Sequence, residues 1–205
     1  VQLHELNCRL RPVKCGCCHE MAPIENFLDH NCHCFDWTLG GNVKTVMFSV
    51  DGTRPSNPNK VYVKGWDGRK PIVFEAMSDF KYPPAVYMRD DQVFFLGVAR
   101  RKPEKRWMFY AAIQGTVEDS VAYQVNIVLQ DRNKKNVNRS VCKVLPMDKM
   151  FSLDNIEDCG VDYFVTLHDL ALQRFLHYDD RDFCGSNGSF TSFIRLQVQY
   201  HISKM

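Results

Sequence analysis

Three things are scarce or missing in this sequence of 205 residues. It has little net charge: 26 Lys and Arg against 24 Asp and Glu leave a formal net charge of +2, so no bias names a nucleic-acid or membrane partner. It has no run of 18 or more apolar residues, which predicts no membrane-spanning helix. Its opening, VQLHELNC, lacks the basic region followed by an apolar stretch that marks a secretory signal. The G-x-S-x-G elbow, the P-loop, G-x-G-x-x-G and H-E-x-x-H are also missing, so the common nucleophile, phosphate and metalloprotease sites find no support. A hydrophobic share of 45% with 24% charged residues belongs to a globular chain and not to a disordered one. Nothing in these patterns looks like an active site.

Cysteine is abundant, and in one place. Six of the nine cysteines precede residue 35, and the stretch CGCCHEMAPIENFLDHNCHC, residues 15 to 34, holds five of them with three histidines. A disulfide framework would spread its pairs over the fold it staples, whereas mixed Cys and His at short intervals is the donor set of tetrahedral zinc. Zinc ligation in turn implies a reducing compartment, cytoplasm or nucleus. Cys15 and Cys18 form a C-x2-C knuckle, and His30 and Cys34 follow as H-x3-C, a spacing that puts two side chains on one helical face. The predicted ligand set is Cys15, Cys18, His30 and Cys34, with Cys17 the alternative to Cys18. Cys32, His19 and His33 read as surface or packing residues. Phe27 and Leu28, in a short helix after Pro23, are expected to pack against the knuckle. Four protein ligands leave no open position, so the metal is expected to be structural.

A second H-x3-C stands earlier, His4 to Cys8, and six residues separate Cys8 from Cys15. It reads as the tail of a preceding finger whose first two ligands would lie before residue 1.

The run HELNCRLRPVKC resembles the seven-in-absentia (SIAH, Sina) ubiquitin-ligase family, in which a finger ending in H-x3-C is joined by six residues containing Arg-Pro to the first cysteine of the next. FYAAIQGTVEDSVAYQVNIVL and DCGVDYFVTLHDLALQRF resemble later segments of that family in the same order, so the likeness covers most of the chain. The related tumour-necrosis-factor-receptor-associated (TRAF) fold shares much of the pattern. The resemblance implies a mainly β protein, an antiparallel TRAF-like β-sandwich over residues 37–205 preceded by a small zinc-finger module over residues 1–36. It also implies a homodimer that captures an extended peptide from a protein partner by adding it as a strand. The family's RING domain is missing from this chain. The edge strand implied is TVMFSV, with Val46 and Phe48 near the groove, and Tyr87 and Met88 of AVYMRD stand where the family has tryptophan and methionine. Departures are the loss of that tryptophan and the insertion DGTRPSNPNKVYVKGWDGRKP. The plain alternative for Tyr87 and Met88 is that they fill core.

Periodicity points the same way without the family. Short runs at 46–50, 61–63, 93–98, 107–113, 121–129 and 193–202 read as strands. In the fifth, Val121, Tyr123, Val125, Ile127 and Leu129 are expected on one buried face, with Ala122, Gln124 and Asn126 opposite. RRKPEKR, GTVEDS and DRNKKN read as turns, and YDDRDFCGSNGS as a loop. One helix is expected where Thr166 and Asp169 resemble a capping box before LALQRF. Cys142 reads as a strand residue, and His168, His177 and His201 as surface or satisfied interior histidines.

Two other functions stay open. An adaptor without a RING could assemble complexes on the same scaffold. Nucleic-acid binding, the less favoured reading, would use the knuckle together with RRKPEKRW, which joins five basic residues to Trp107.

Overall fold

The structure, a computed structural model, describes residues 8–15, 20–27, 42–49, 62–64, 73–75, 80–81, 84–130, 137–150, 153–184 and 190–205. The expected division between residues 36 and 37 lies outside them. The chain begins with a small antiparallel hairpin, β1 (Pro12–Lys14) and β2 (Met21–Pro23). There follow β3 (Val43–Ser49), β4 (Tyr62–Lys64), β5 (Val73–Glu75), β6 (Phe80–Lys81), β7 (Ala85–Arg89), β8 (Gln92–Arg101) and β9 (Arg106–Ile113). A short helix α1 (Val117–Val121) leads into β10 (Tyr123–Gln130), β11 (Val137–Lys143) and β12 (Leu145–Pro146). Helix α2 (Leu153–Asp158), β13 (Val165–His168), helix α3 (Asp169–Leu172), β14 (Leu176–Cys184) and β15 (Phe190–Lys204) complete the order.

The protein is mainly β with antiparallel sheets, and two of them form its body. One runs β11-β10-β15-β3-β4-β5, with β14 also paired to β15; the other runs β12-β9-β8-β6, with β13 beside β9 and β7 beside β8. Among the described residues, parallel pairing is confined to β12 with β9 and to one bridge between β3 and β4. The sheets share a core: Phe94, Leu96 and Val98 of β8 and Trp107, Phe109 and Ile113 of β9 meet Val125, Ile127 and Leu129 of β10 and Leu196, Val198 and Tyr200 of β15. Each large side chain so buried contributes about 1.5–3 kcal/mol.

The residues of opposite parity on β8 and β9 are buried as well. Phe95, Ala99, Met108, Tyr110 and Ala112 form a second cluster with Val13, Cys15, Ile24 and Phe27 of the N-terminal segment and with Met147, Met150 and Ile156. VFFLGV and WMFYAAI are therefore near-continuous apolar runs because a layer lies on each side of them, not half-buried strands with one wet face.

Four expectations are corrected. Val121 ends α1 and is exposed, and the strand begins at Tyr123. GTVEDS is not a plain turn: Thr116 caps α1, with its side chain accepting from the Asp119 N–H and the Asp119 carboxylate accepting from the Thr116 N–H. Thr166 lies in β13, and α3 is capped by His168, whose Nδ1 accepts from the Leu170 N–H at 3.3 Å. Asp169 is not a cap because its carboxylate is drawn into the core by Arg100 and Trp107. The start of YDDRDFCGSNGS is strand, the end of β14, held by its ladder to β15.

Candidate functional site

The N-terminal hairpin carries Cys15, the first residue of the predicted knuckle. Three pairs join β1 to β2, from Pro12 with Pro23 to Lys14 with Met21, and the Cys15 N–H then donates to the Glu20 carbonyl at 2.8 Å. That bond extends the hairpin one step beyond its strands. Cys15 is fully buried, packed with Val13, Ile24 and Phe27. Chain reversal continues through a tight turn, Asn26 N–H to Pro23 carbonyl and Phe27 N–H to Ile24 carbonyl, which seats Phe27 against the knuckle as expected. Cys8 is half-buried, and its carbonyl accepts from the Arg11 N–H at 3.0 Å.

Cys18, His30, Cys34 and His4 lie outside the described residues, as do Cys17, His19, Cys32 and His33. Among the described residues no three His, Cys, Asp or Glu side chains cluster as a metal site. Of the predicted ligand set, the described residues hold one thiol, Cys15, buried where the two-stranded hairpin ends.

The hairpin is strapped to the body by polar contacts as well as by its core. Arg9 pairs with Asp119 at 3.0 Å, Arg11 with Asp148 at 3.1 Å, and the Gln114 side-chain N–H donates to the Glu25 carbonyl at 2.8 Å. A cleft of about 140 Å³ is lined by Arg9, Glu25, Asp91, Val93 and Gln114.

The four expected groove residues divide between the two sheets. In β3, Val46 stands opposite Leu196 and Phe48 opposite Ile194 of β15; their side chains lie outside the described residues. Tyr87 and Met88 lie in β7, opposite Phe94 and Val93 of β8. Their side chains differ in role. Tyr87 is half-buried, its ring 6.5 Å from that of Phe94, which packs edge-on to Tyr123. Met88 is 64% exposed and fills no core. The turn that follows puts both Asp90 and Asp91 in the left-handed region, with φ of 51° and 58°, the backbone of a two-residue hairpin turn.

The buried centre of charge went unpredicted. Arg100 and Asp169 form a two-pronged pair, Nε to Oδ1 at 3.2 Å and Nη2 to Oδ2 at 2.8 Å, and the Trp107 indole N–H donates to the same Oδ1 at 2.7 Å. The guanidinium lies 5.8 Å from the centre of the Trp107 ring. Arg101 and Arg106 meet Glu157 of α2 at 3.0 and 2.6 Å. The basic stretch of RRKPEKRW is thus engaged with carboxylates at Arg100, Arg101 and Arg106, and Trp107, fully buried, offers no face to a base. No spacing rule links residue 100 to residue 169; only the pairing of β13 with β9 brings them together.

Cys142 and Cys159 are free thiols. Burial, and secondarily the Asp162 carboxylate, push the Cys142 thiol up to about 11, which holds it protonated and unreactive at neutral pH. Cys159 is also raised, mainly by burial.

No protein-family model and no curated protein matches this chain. Among the described residues no helix is long and apolar enough to cross a membrane.

Proposed function

We propose that this chain is a protein-recognition module of the seven-in-absentia type, a finger region of residues 1–36 joined to a TRAF-like β-sandwich of residues 37–205. Zinc would be held by Cys15, Cys18, His30 and Cys34, with His4 and Cys8 closing a preceding finger. The metal supplies a closed structural site that fixes the loop, with no water position for chemistry. The chain itself recognises: it takes an extended segment of a partner protein as an added strand along β3 and works as a homodimer. Ubiquitin transfer would require a RING domain elsewhere in the protein. The reduced thiols suit the cytoplasm or nucleus.

The observation that carries this reading is the state of β3. Positions 43 to 49 all pair with β15 on one side, while on the other side, among the described residues, a single bridge joins Ser49 to Tyr62. Strand addition at β3 would draw affinity from main-chain hydrogen bonds, and alternate side chains would choose the sequence. The test is to select peptides from a random displayed library against the zinc-loaded chain and map amide exchange with and without the selected peptide. Slowed exchange across residues 43–48 is the expected result. Protection confined to another edge, such as β11, sinks the reading.

A further inference from the structure

We propose that the cleft between the N-terminal segment and the β7–β8 hairpin is a second recognition site, and that it takes the side chain of a lysine from a partner protein. The site lies apart from β3 and uses none of its residues.

Three acceptors line this cleft of about 140 Å³: the exposed carboxylates of Glu25 and Asp91 and the side-chain amide of Gln114. Gln114 Nε2 donates to the Glu25 carbonyl at 2.8 Å, and because a carbonyl only accepts, that bond fixes which end of the amide is the oxygen. The oxygen is shielded from bulk water and, among the described residues, accepts no hydrogen bond. A shielded acceptor is unfavourable until a donor reaches it. The Gln114 backbone N–H is engaged by the Val93 carbonyl at 2.8 Å, so the residue is held in place from main chain and side chain alike.

Charge selects the donor. Arg9, also in the lining, pairs with Asp119 at 3.0 Å, which leaves the lining carboxylates in excess. An ammonium carries three N–H donors, enough for two carboxylates and one amide oxygen, whereas a guanidinium prefers both oxygens of a single carboxylate in one plane. Ile24 and Val93 give an apolar wall to an aliphatic stem. Room is sufficient, since a cavity of about 150 Å³ is enough to hold benzene. Met88 favours a protein over a free amine as the source: 64% exposed, it stands directly opposite Val93 in the β7–β8 ladder, where residues flanking a lysine can cover it.

The test follows the amide shifts of the whole isotope-labelled chain as Nα-acetyl-lysine methylamide is added. Two comparison probes are the same molecule acetylated on its ε-nitrogen and n-butylammonium chloride. Expected are saturable shifts at Glu25, Val93 and Gln114 with the lysine probe, weakened as salt is raised. The acetylated probe, which has lost its charge, is expected to bind about tenfold more weakly or worse, and n-butylammonium to shift the same amides at lower affinity. Asp91→Asn and Glu25→Gln are each expected to weaken the lysine probe about threefold or more. Asn is at home in the left-handed backbone of residue 91, so the turn is kept. No saturable shift at these three amides, or equal binding of the two lysine probes, overturns the site. Butylammonium binding as tightly as the lysine probe overturns the protein as the source. The probe comparison uses the unaltered chain, so it decides the matter even where a variant does not fold. Amide exchange across 43–48 is a separate readout, so this site and the β3 reading fail separately.

Discussion

The ring of Tyr110 occupies the space a side chain at Gly97 would need. The two residues face each other across β8 and β9, and a β-carbon built on Gly97 would lie 2.2 Å from the Tyr110 Cζ. The Gly97 carbonyl meanwhile accepts the Tyr200 hydroxyl at 2.9 Å. An aromatic ring folded over a strand glycine restores the contact that the missing side chain would have made. Gly97→Ala is expected to cost at least about 1–3 kcal/mol, because β8 and β9 are packed on both faces and neither can step aside. Urea denaturation measures it; an unchanged midpoint would mean that the ring is free to move.

Asp169 neutralises Arg100 and accepts from Trp107 in the interior, with side-chain exposures of 3% for Arg100 and 10% for Asp169. Asp169→Ala is expected to lose about 3–5 kcal/mol, since it strands a buried cation. Replacing both partners by apolar residues, Arg100→Met with Asp169→Leu, is expected to cost clearly less than the single change. Chemical denaturation of the two variants, followed by Trp107 fluorescence, separates the outcomes; equal losses would assign the effect to packing.

The Cys142 thiol sets an alkaline limit. Its value rises from 9.0 to about 11 on folding, so folded and unfolded chains are both protonated below the lower figure and stability is unaffected there. Between the two figures the unfolded thiol ionises first, so stability falls as pH rises through this window. The buried Tyr110 and Tyr200 hydroxyls are raised in the same direction and add to the loss above the ordinary tyrosine range. Cys142→Ala should flatten the part of the slope between pH 9.0 and about 11. Stability measured against pH in both chains checks it, and identical slopes would refute the assignment.

Tyr87 and Met88 are neighbours with separable roles. Met88→Ala is expected to change stability by no more than about 0.5 kcal/mol, because the side chain is largely in water. Tyr87→Ala removes the contact with Phe94 and part of the core edge, and is expected to cost about 1–3 kcal/mol. Thermal melts of the two variants read this directly. Loss of peptide binding by Met88→Ala at unchanged stability would place that residue in the recognition surface.

The strands that sequence revealed best are those whose chemistry is local. The alternation from Tyr123 to Leu129 and the hairpin about Lys102 to Lys105 follow from side-chain parity and turn residues within a few positions. The same reasoning misplaced the capping box. Thr116 with Asp119 and Thr166 with Asp169 have the same spacing, and what separates them is that Asp169 lies opposite Arg100 once β9, β13 and α3 are assembled. β14 was hidden because its composition is polar and its strand state comes from the ladder with β15. At the candidate site, Cys15 was legible from spacing, while its burial against the body was not. That depends on Met108, Tyr110 and Ala112, about ninety residues further along the chain.

One feature of β9 reaches beyond any single substitution. From Trp107 to Ile113 every residue is shielded on both sides, so this stretch has no position where a charge, a label or a bulkier neighbour can be introduced alone. Sequence drift here is expected to proceed by paired exchange, a gain of volume at Ala111 answered by a loss at Leu96 directly across the ladder.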